Sequence, residues 1–346
     1  RMTLKIAIAH HDENALKILR QIIAPDTGCA VIWSTGRGSD VIRQCRHDLP
    51  DILLIDLALA DVSGARLICD VMKETPCAIL VLSNAREQQA GKVFEAMGCG
   101  ALDVISTPVL HSNGFLEGAD VLIKKIDTMA RLLGSASRTT KPAAAVRQTE
   151  KEPQPQLVAI GSSTGGPKAL ATILAGLPRE FPAAIVICQH VDLQFAGGLA
   201  SWLNSQTPLS VAVAREGMRV RPGVVLVAQT NDHLVLGPDG ALHYTEHPRN
   251  YPYRPSVNAL FESLRQYWPQ NDVAVLLTGM GRDGGEGLSA LFKAGWHTIV
   301  QDEKTSIVYG MPAAAVELGG ASEILPLDQI AGAIARKIIN RKGTSL

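Results

Sequence analysis

The sequence predicts two α/β domains joined by a linker, and three observations carry that prediction. Short aliphatic runs alternate with helix-period segments over residues 2–134, a stretch without apolar periodicity covers 135–156, and the alternation resumes over 157–346. Strands that alternate with amphipathic helices imply a parallel sheet with helices on both faces. A chain of 346 residues is long for a single core, and 46% hydrophobic residues against 19% charged ones suffice to fill two.

In the first domain the strand runs are LKIAIA (Leu4–Ala9), CAVIW (Cys29–Trp33), DILLID (Asp51–Asp56), CAILVL (Cys77–Leu82) and ALDVI (Ala101–Ile105). NALKILRQII (Asn14–Ile23) and GKVFEAMG (Gly91–Gly98) carry apolar residues at helical spacing. Such a (βα)5 unit binds ligands at the carboxyl ends of its strands. Ser135–Gln156 mixes Ala, Pro, Gln, Thr and charge and reads as a linker. In the second domain LVAIG (Leu157–Gly161), AAIVICQ (Ala183–Gln189), VVLVA (Val224–Ala228), HLVLG (His233–Gly237), VAVLLTG (Val273–Gly279) and the weaker HTIV (His297–Val300) read as strands. GPDG (Gly237–Gly240) joins two alternating runs as a hairpin turn. The expected sheet is doubly wound and mostly parallel, with a small antiparallel hairpin.

Net charge is zero, which gives no sign of a nucleic-acid surface. No apolar run reaches the length of a membrane span, so no membrane insertion is expected. Cys29, Cys45, Cys69, Cys77, Cys99 and Cys188 show no CxxC spacing, and they read as reduced thiols in a cytoplasmic protein.

VAIGSSTGGP (Val158–Pro167) raises the chemical question, because hydroxyls on a glycine-flanked turn can cradle a phosphate or expose a nucleophile. Pro167 occupies the lysine position of a Walker loop, and Ser163 stands where a dinucleotide fingerprint needs its second glycine. Anion binding at the helix start stays open. In the nucleophile reading, Pro167 suits the first helical turn, and Ser163 lies among backbone N–H groups at the positive end of a helix dipole. His190 ends the next strand run, and Asp283 follows LLTGMG in a second glycine-rich turn. Each residue alone is an ordinary strand-end or turn residue. Together they form a Ser-His-Asp set at the carboxyl ends of separate strands.

IGSSTGGP, ICQH, RPSVNALFESL (Arg254–Leu264), LLTGMGRDGGEGL and YGMPAAA (Tyr309–Ala315) together resemble the catalytic domain of the chemotaxis-type protein-glutamate methylesterases. The resemblance implies hydrolysis of glutamate methyl esters, and deamidation of glutamine, on the cytoplasmic helices of chemoreceptors. It assigns Ser163 as nucleophile, His190 as base and Asp283 as orienter. Thr164 matches a neighbouring active-site hydroxyl, and Met280 a backbone donor of the oxyanion hole. Asn258 departs from the Asp that commonly follows RPSV. No cofactor is implied for the esterase, and a monomer is expected.

The first domain resembles a flavodoxin-like response-regulator receiver. Asp56 matches the phosphoacceptor and Ser83 the switch hydroxyl, with a chemosensory histidine kinase as phosphodonor. Three features depart from that pattern. His10 and His11 align with the paired acids, with Asp12 and Glu13 just beyond as candidate Mg²⁺ ligands. Thr107 replaces a lysine, and Leu59-Ala60 replaces Met-Pro. Imidazoles are poor Mg²⁺ ligands, so weak phosphorylation is expected. FEAMGCGALDVISTP (Phe94–Pro108) and the missing lysine resemble members of alternative chemosensory pathways. The resemblance also implies that the receiver restrains the esterase and that phosphorylation relieves the block. The alternative is a catalytically weak scaffold that docks to receptors through a degenerate receiver.

Overall fold

The computed structural model describes residues 3–23, 28–83, 90–111, 114–132, 155–229 and 231–342. The chain divides into two compact units, Arg1–Ser137 and Arg138–Leu346. Most of the expected linker, residues 135–154, lies outside the described residues.

The first unit contains β1 (Leu4–Ala9), α1 (Glu13–Ile22), β2 (Cys29–Thr35), α2 (Gly38–His47), β3 (Ile52–Asp56), α3 (Gly64–Glu74), β4 (Ala78–Leu82), α4 (Ala90–Gly98), β5 (Asp103–Ile105), β6 (Val109–Leu110), β7 (Leu116–Glu117) and α5 (Ala119–Leu132). Its five-stranded sheet has the order β2-β1-β3-β4-β5 and is parallel throughout. This is the flavodoxin-like order, whose switch point lies between β1 and β3. β3 is buried along its whole length, as a central strand covered on both faces must be. One expectation fails here, because Cys69 and Cys99 form a disulfide. Cys69 lies on α3 and Cys99 follows α4, and these two helices pack together. Thirty residues separate the pair, so linear spacing carries no sign of it. The thiol argument for a reducing compartment therefore loses its support.

The second unit contains β8 (Gln156–Ser162), α6 (Gly166–Ala175), β9 (Ala183–Gln189), α7 (Leu193–Gln206), β10 (Ser210–Val213), β11 (Val224–Val227), β12 (His233–Leu236), β13 (Leu242–Thr245), α8 (Val257–Tyr267), β14 (Val273–Leu276), α9 (Gly285–Lys293), β15 (His297–Gln301), α10 (Met311–Glu317), β16 (Glu323–Leu325) and α11 (Leu327–Lys342). Seven parallel strands run in the order β10-β11-β9-β8-β14-β15-β16. This unit begins with β8, builds outward through β9 and beyond, then returns to place β14 on the other side of β8. The switch point therefore lies between β8 and β14, where doubly wound folds bind ligands. The GPDG turn closes the antiparallel β12–β13 ribbon, which stands apart from the main sheet. Among the described residues, no helix is long and apolar enough to cross a membrane.

At Gly161, β8 leaves no room for a side chain on the face under α8. A Cβ at Gly161 would stand 2.3 Å from Val257 Cγ1 and 3.0 Å from Leu276 Cδ1. We expect Gly161→Ala to lower stability by about 1–3 kcal/mol through overpacking. An unchanged urea midpoint would contradict this close approach of α8 to β8.

Candidate active site

Three strand ends build the site. β8 ends at Ser162, and Ser163 begins the turn into α6. β9 lies beside it with Ser162 opposite Gln189, so Ser163 and His190 leave neighbouring strands at the same level. β14 borders β8 on the other side, and its following turn carries Met280 and Asp283. Both strand-to-helix turns reach their helix through a left-handed glycine, Gly165 at φ +78° and Gly284 at φ +84°. Residues with a side chain seldom adopt that conformation.

Backbone and side-chain bonds lock the Ser163 turn. Ser163 N–H donates to the Thr278 carbonyl at 3.0 Å, and Gly166 N–H donates to the Ser163 carbonyl at 2.7 Å. The Gln189 amide donates to the carbonyls of both Ser163 and His190, each at 2.9 Å. Thr278 Oγ1 donates to the Thr164 carbonyl at 2.9 Å and accepts from Val308 N–H at 2.9 Å. Ser163 and Thr164 are both buried. Met280 follows Gly279, whose added Cβ would meet Ser163 Cβ at 2.9 Å, so the Met280 turn lies directly against Ser163.

Asp283 gathers four donors. His190 Nε2 lies 2.7 Å from Oδ2, and Val257 N–H donates to the same oxygen at 2.7 Å. Ser256 Oγ donates to Oδ1 at 2.8 Å, and Asn258 N–H at 3.1 Å. The carboxylate thus sits on the first N–H groups of α8, where the helix dipole favours an anion. Burial pushes the Asp283 carboxyl up, but the bond and charge of His190 with the bonds from Ser256 and Val257 outweigh it. Its pKa lies below the ordinary carboxylate value. An ionised carboxylate only accepts, so Nε2 is the donor to it, and in the neutral imidazole the lone pair is then on Nδ1. His190 Nδ1 is buried and has no hydrogen-bond partner among the described residues. Tyr253 stacks on the imidazole, with ring centroids 4.4 Å apart and planes within 9°. The Asn258 side chain accepts from Gly287 N–H at 2.8 Å, joining α8 to α9.

Ser163, His190, Asp283, Thr164 and Met280, the residues to which the sequence points, all lie around these three strand ends. Gln189, Thr278, Tyr253 and Ser256 join them without a mark in the motifs. Ser256 carried a usable signal, since Ser before an apolar helical run marks an N-cap, and its hydroxyl also accepts from Ala259 N–H.

In the first unit, Asp56 ends β3 and is buried, as are Ser83 after β4 and Thr107 after β5. The groups beside Asp56 are His10 and His11. Asp12 instead caps α1, accepting from Asn14 N–H at 2.8 Å, and Glu13 begins that helix. Burial holds the His10 imidazole below its usual pKa despite the Asp56 charge. Mg²⁺ demands hard oxygen ligands in near-octahedral array. Two imidazoles and one carboxylate do not fit it.

Residues 158–334 match the family described as CheB methylesterase, and residues 6–114 match the response regulator receiver domain. A protein-glutamate methylesterase/protein-glutamine glutaminase of Burkholderia lata is 46% identical over 333 residues, covering 96% of this chain and 98% of that one. The chain belongs to the CheB methylesterase family. A second relative, protein-glutamate methylesterase/protein-glutamine glutaminase 3 of Pseudomonas savastanoi pv. phaseolicola, is 46% identical over 328 residues, covering 95% of this chain and 97% of its own. The crystal structure of the Thermotoga maritima CheB methylesterase catalytic domain is 36% identical, covers 53% of this chain and 98% of its own, and superposes with a TM-score of 0.49.

The Asp283 cluster makes a pH prediction. Because the folded pKa is depressed, the stabilisation is complete above the unfolded value of about 3.9 and is lost as pH falls through the folded value. Asp283→Asn should therefore flatten the acid-side decline in stability below about pH 4. Denaturation followed by tryptophan fluorescence reads this, and superimposable acid profiles for variant and wild type would contradict it.

Proposed function

We propose that this CheB methylesterase family member hydrolyses glutamate methyl esters on a methylated chemoreceptor, and deamidates glutamine there, by acyl transfer on Ser163. The relatives' names supply the reaction class. The observation that carries the assignment of roles is the state of His190. Its Nε2 is held by Asp283 while its Nδ1 is buried and without a hydrogen-bond partner among the described residues. That is the atom left to accept a proton.

In this reading His190 Nδ1 takes the Ser163 proton as Oγ attacks the ester carbonyl. The imidazolium that forms is stabilised by Asp283, which stays ionised. The backbone N–H of Met280 receives the tetrahedral oxyanion, with Thr164 beside it. One such donor is worth about 3–4 kcal/mol of barrier. Collapse expels methanol, or ammonia from a glutamine, and His190 returns its proton to the leaving group. His190 then deprotonates a water, which hydrolyses the glutamyl-enzyme and restores Ser163. Every proton moves through one imidazole, and the step needs no group beyond the chain and water. A cytoplasmic location fits a substrate on the cytoplasmic helices of chemoreceptors, and a chemosensory histidine kinase fits the receiver as its phosphodonor.

The scaffold alternative is not favoured. A docking module has no need of a buried imidazole with one nitrogen clamped and the other left open.

Ser163→Ala should reduce methanol release by about 10³–10⁶-fold while the chain stays folded. Activity near wild type would remove Ser163 as the nucleophile. Tyr253 tests the positioning of the base. An aromatic stack is worth about 0.5–1.5 kcal/mol, so Tyr253→Ala should slow turnover by about two- to tenfold, and Tyr253→Phe should restore it. Equal losses in both variants would assign the effect to the hydroxyl instead.

A further inference from the structure

The pocket at the carboxyl ends of β1 and β3 departs from receiver chemistry in one specific way. One ligand atom from each of His10, His11 and Asp56 lies within 4.8 Å of the other two. Asp56 Oδ2 touches His11 Nδ1 and stands 3.8 Å from His10 Nδ1, so both δ nitrogens turn toward the same carboxylate oxygen. The second oxygen, Oδ1, is held by Ala58 N–H at 2.9 Å. His10 Nδ1 also accepts from Asp12 N–H at 3.0 Å. A ring nitrogen that accepts carries no proton, so the chain itself sets His10 in the tautomer whose lone pair is on Nδ1. His10 and Asp56 are buried, whereas the His11 side chain is 50% exposed and leaves an approach from solvent.

We propose that His10, His11 and Asp56 form a binding site for a first-row divalent cation of the Zn²⁺ type, where a receiver would hold Mg²⁺. Imidazole suits Zn²⁺ and its neighbours in the series, whereas Mg²⁺ takes oxygens and sheds water reluctantly. Zn²⁺ holds nitrogen and carboxylate oxygen at about 2.0–2.2 Å, which spaces tetrahedral ligand atoms about 3.4 Å apart. The 3.8 Å pair is already close to that spacing. The His11 ring now stacks on His10, with centroids 5.0 Å apart and planes within 17°. A ring donates in its own plane, so His11 must turn out of the stack, and its exposed half gives it room. The ion takes the His10 lone pair from the Asp12 amide and replaces the direct His11–Asp56 contact. Any proton shared in that contact passes to solvent. Three protein ligands leave a fourth position for water. Asp56, as a ligand, is then withheld from phosphoryl transfer.

The test uses the untagged full-length chain, stripped with a chelator and titrated with Zn²⁺ by calorimetry. We expect one tight site per chain that millimolar Mg²⁺ does not displace. Loss of an outer-shell partner costs about 10–100-fold in metal affinity, so loss of a direct ligand in His11→Ala should cost at least about 100-fold. Asp56→Asn, which keeps the side chain's size, should weaken the site as well. His243, which bonds Glu216 and Asp239 on the surface, is the rival donor set, and His243→Ala should leave the tight site intact. Co²⁺ in place of Zn²⁺ should give visible ligand-field bands without a thiolate charge-transfer band. The proposal is overturned if wild type has no tight Zn²⁺ site, if His11→Ala binds as tightly as wild type, if Mg²⁺ displaces Zn²⁺ at similar concentration, or if the Co²⁺ spectrum shows thiolate ligation.

Discussion

The Asp283 carboxylate is buried and ionised, a state a protein interior penalises unless donors replace the lost water. Here the donors come from two places. The start of α8 supplies the N–H groups of Val257 and Asn258 and the Ser256 hydroxyl, and the end of β9 supplies the His190 ring. One anion thus joins the turn after β14 to the start of α8 and to the end of β9. The link extends further through Val257, whose side chain closes on the glycine faces of both Gly161 in β8 and Gly284 before α9. Moving α8 would at once uncover the carboxylate, open a gap over β8 and release His190. The geometry of the base is therefore a property of the core packing rather than of a loop.

The same coupling explains which parts of this unit the sequence disclosed. Central strands such as Ala183–Gln189 are continuously apolar because both faces are covered, and the expected run coincides with β9. The edge strands Ser210–Val213 and Glu323–Leu325 are short and only partly buried, and no periodicity marks them. Ser163, His190 and Asp283 were legible because strand-end position is itself a signal. Gln189 and Thr278 look like ordinary polar residues at the end of apolar runs. Their part in the site comes from bonds to carbonyls 26 and 114 residues away. Tyr253 acts through a ring stack with His190, which no local pattern encodes.

In the receiver, the sequence separated two alignments only by analogy, with His10 and His11 or Asp12 and Glu13 at the acidic positions. Helix capping decides the placement physically. The α1 N-terminus needs an acceptor for its first N–H groups, and Asp12 fills that role with Asn14 N–H. An aspartate engaged there faces its own helix, and the two residues before it are left at the strand end beside Asp56.

Asp283 and Asp56 then form an instructive pair. Each is a buried carboxylate at the carboxyl end of a parallel strand or in the turn beyond, and each meets an imidazole. At Asp283 a helix N-terminus and a hydroxyl share the charge, so the carboxylate can spend its whole capacity orienting one ring. Among the described residues, no helix N-terminus serves the Asp56 carboxylate. Its well-aligned bond is from Ala58 N–H, its bond from His11 N–H is long at 3.5 Å, and its other described partners are the two imidazoles. A receiver ordinarily balances such a charge with a lysine and a hard cation, and here Thr107 stands at the lysine position. The uncompensated side of Asp56 faces nitrogen donors, and that is the physical ground on which a nitrogen-preferring cation has the advantage over Mg²⁺.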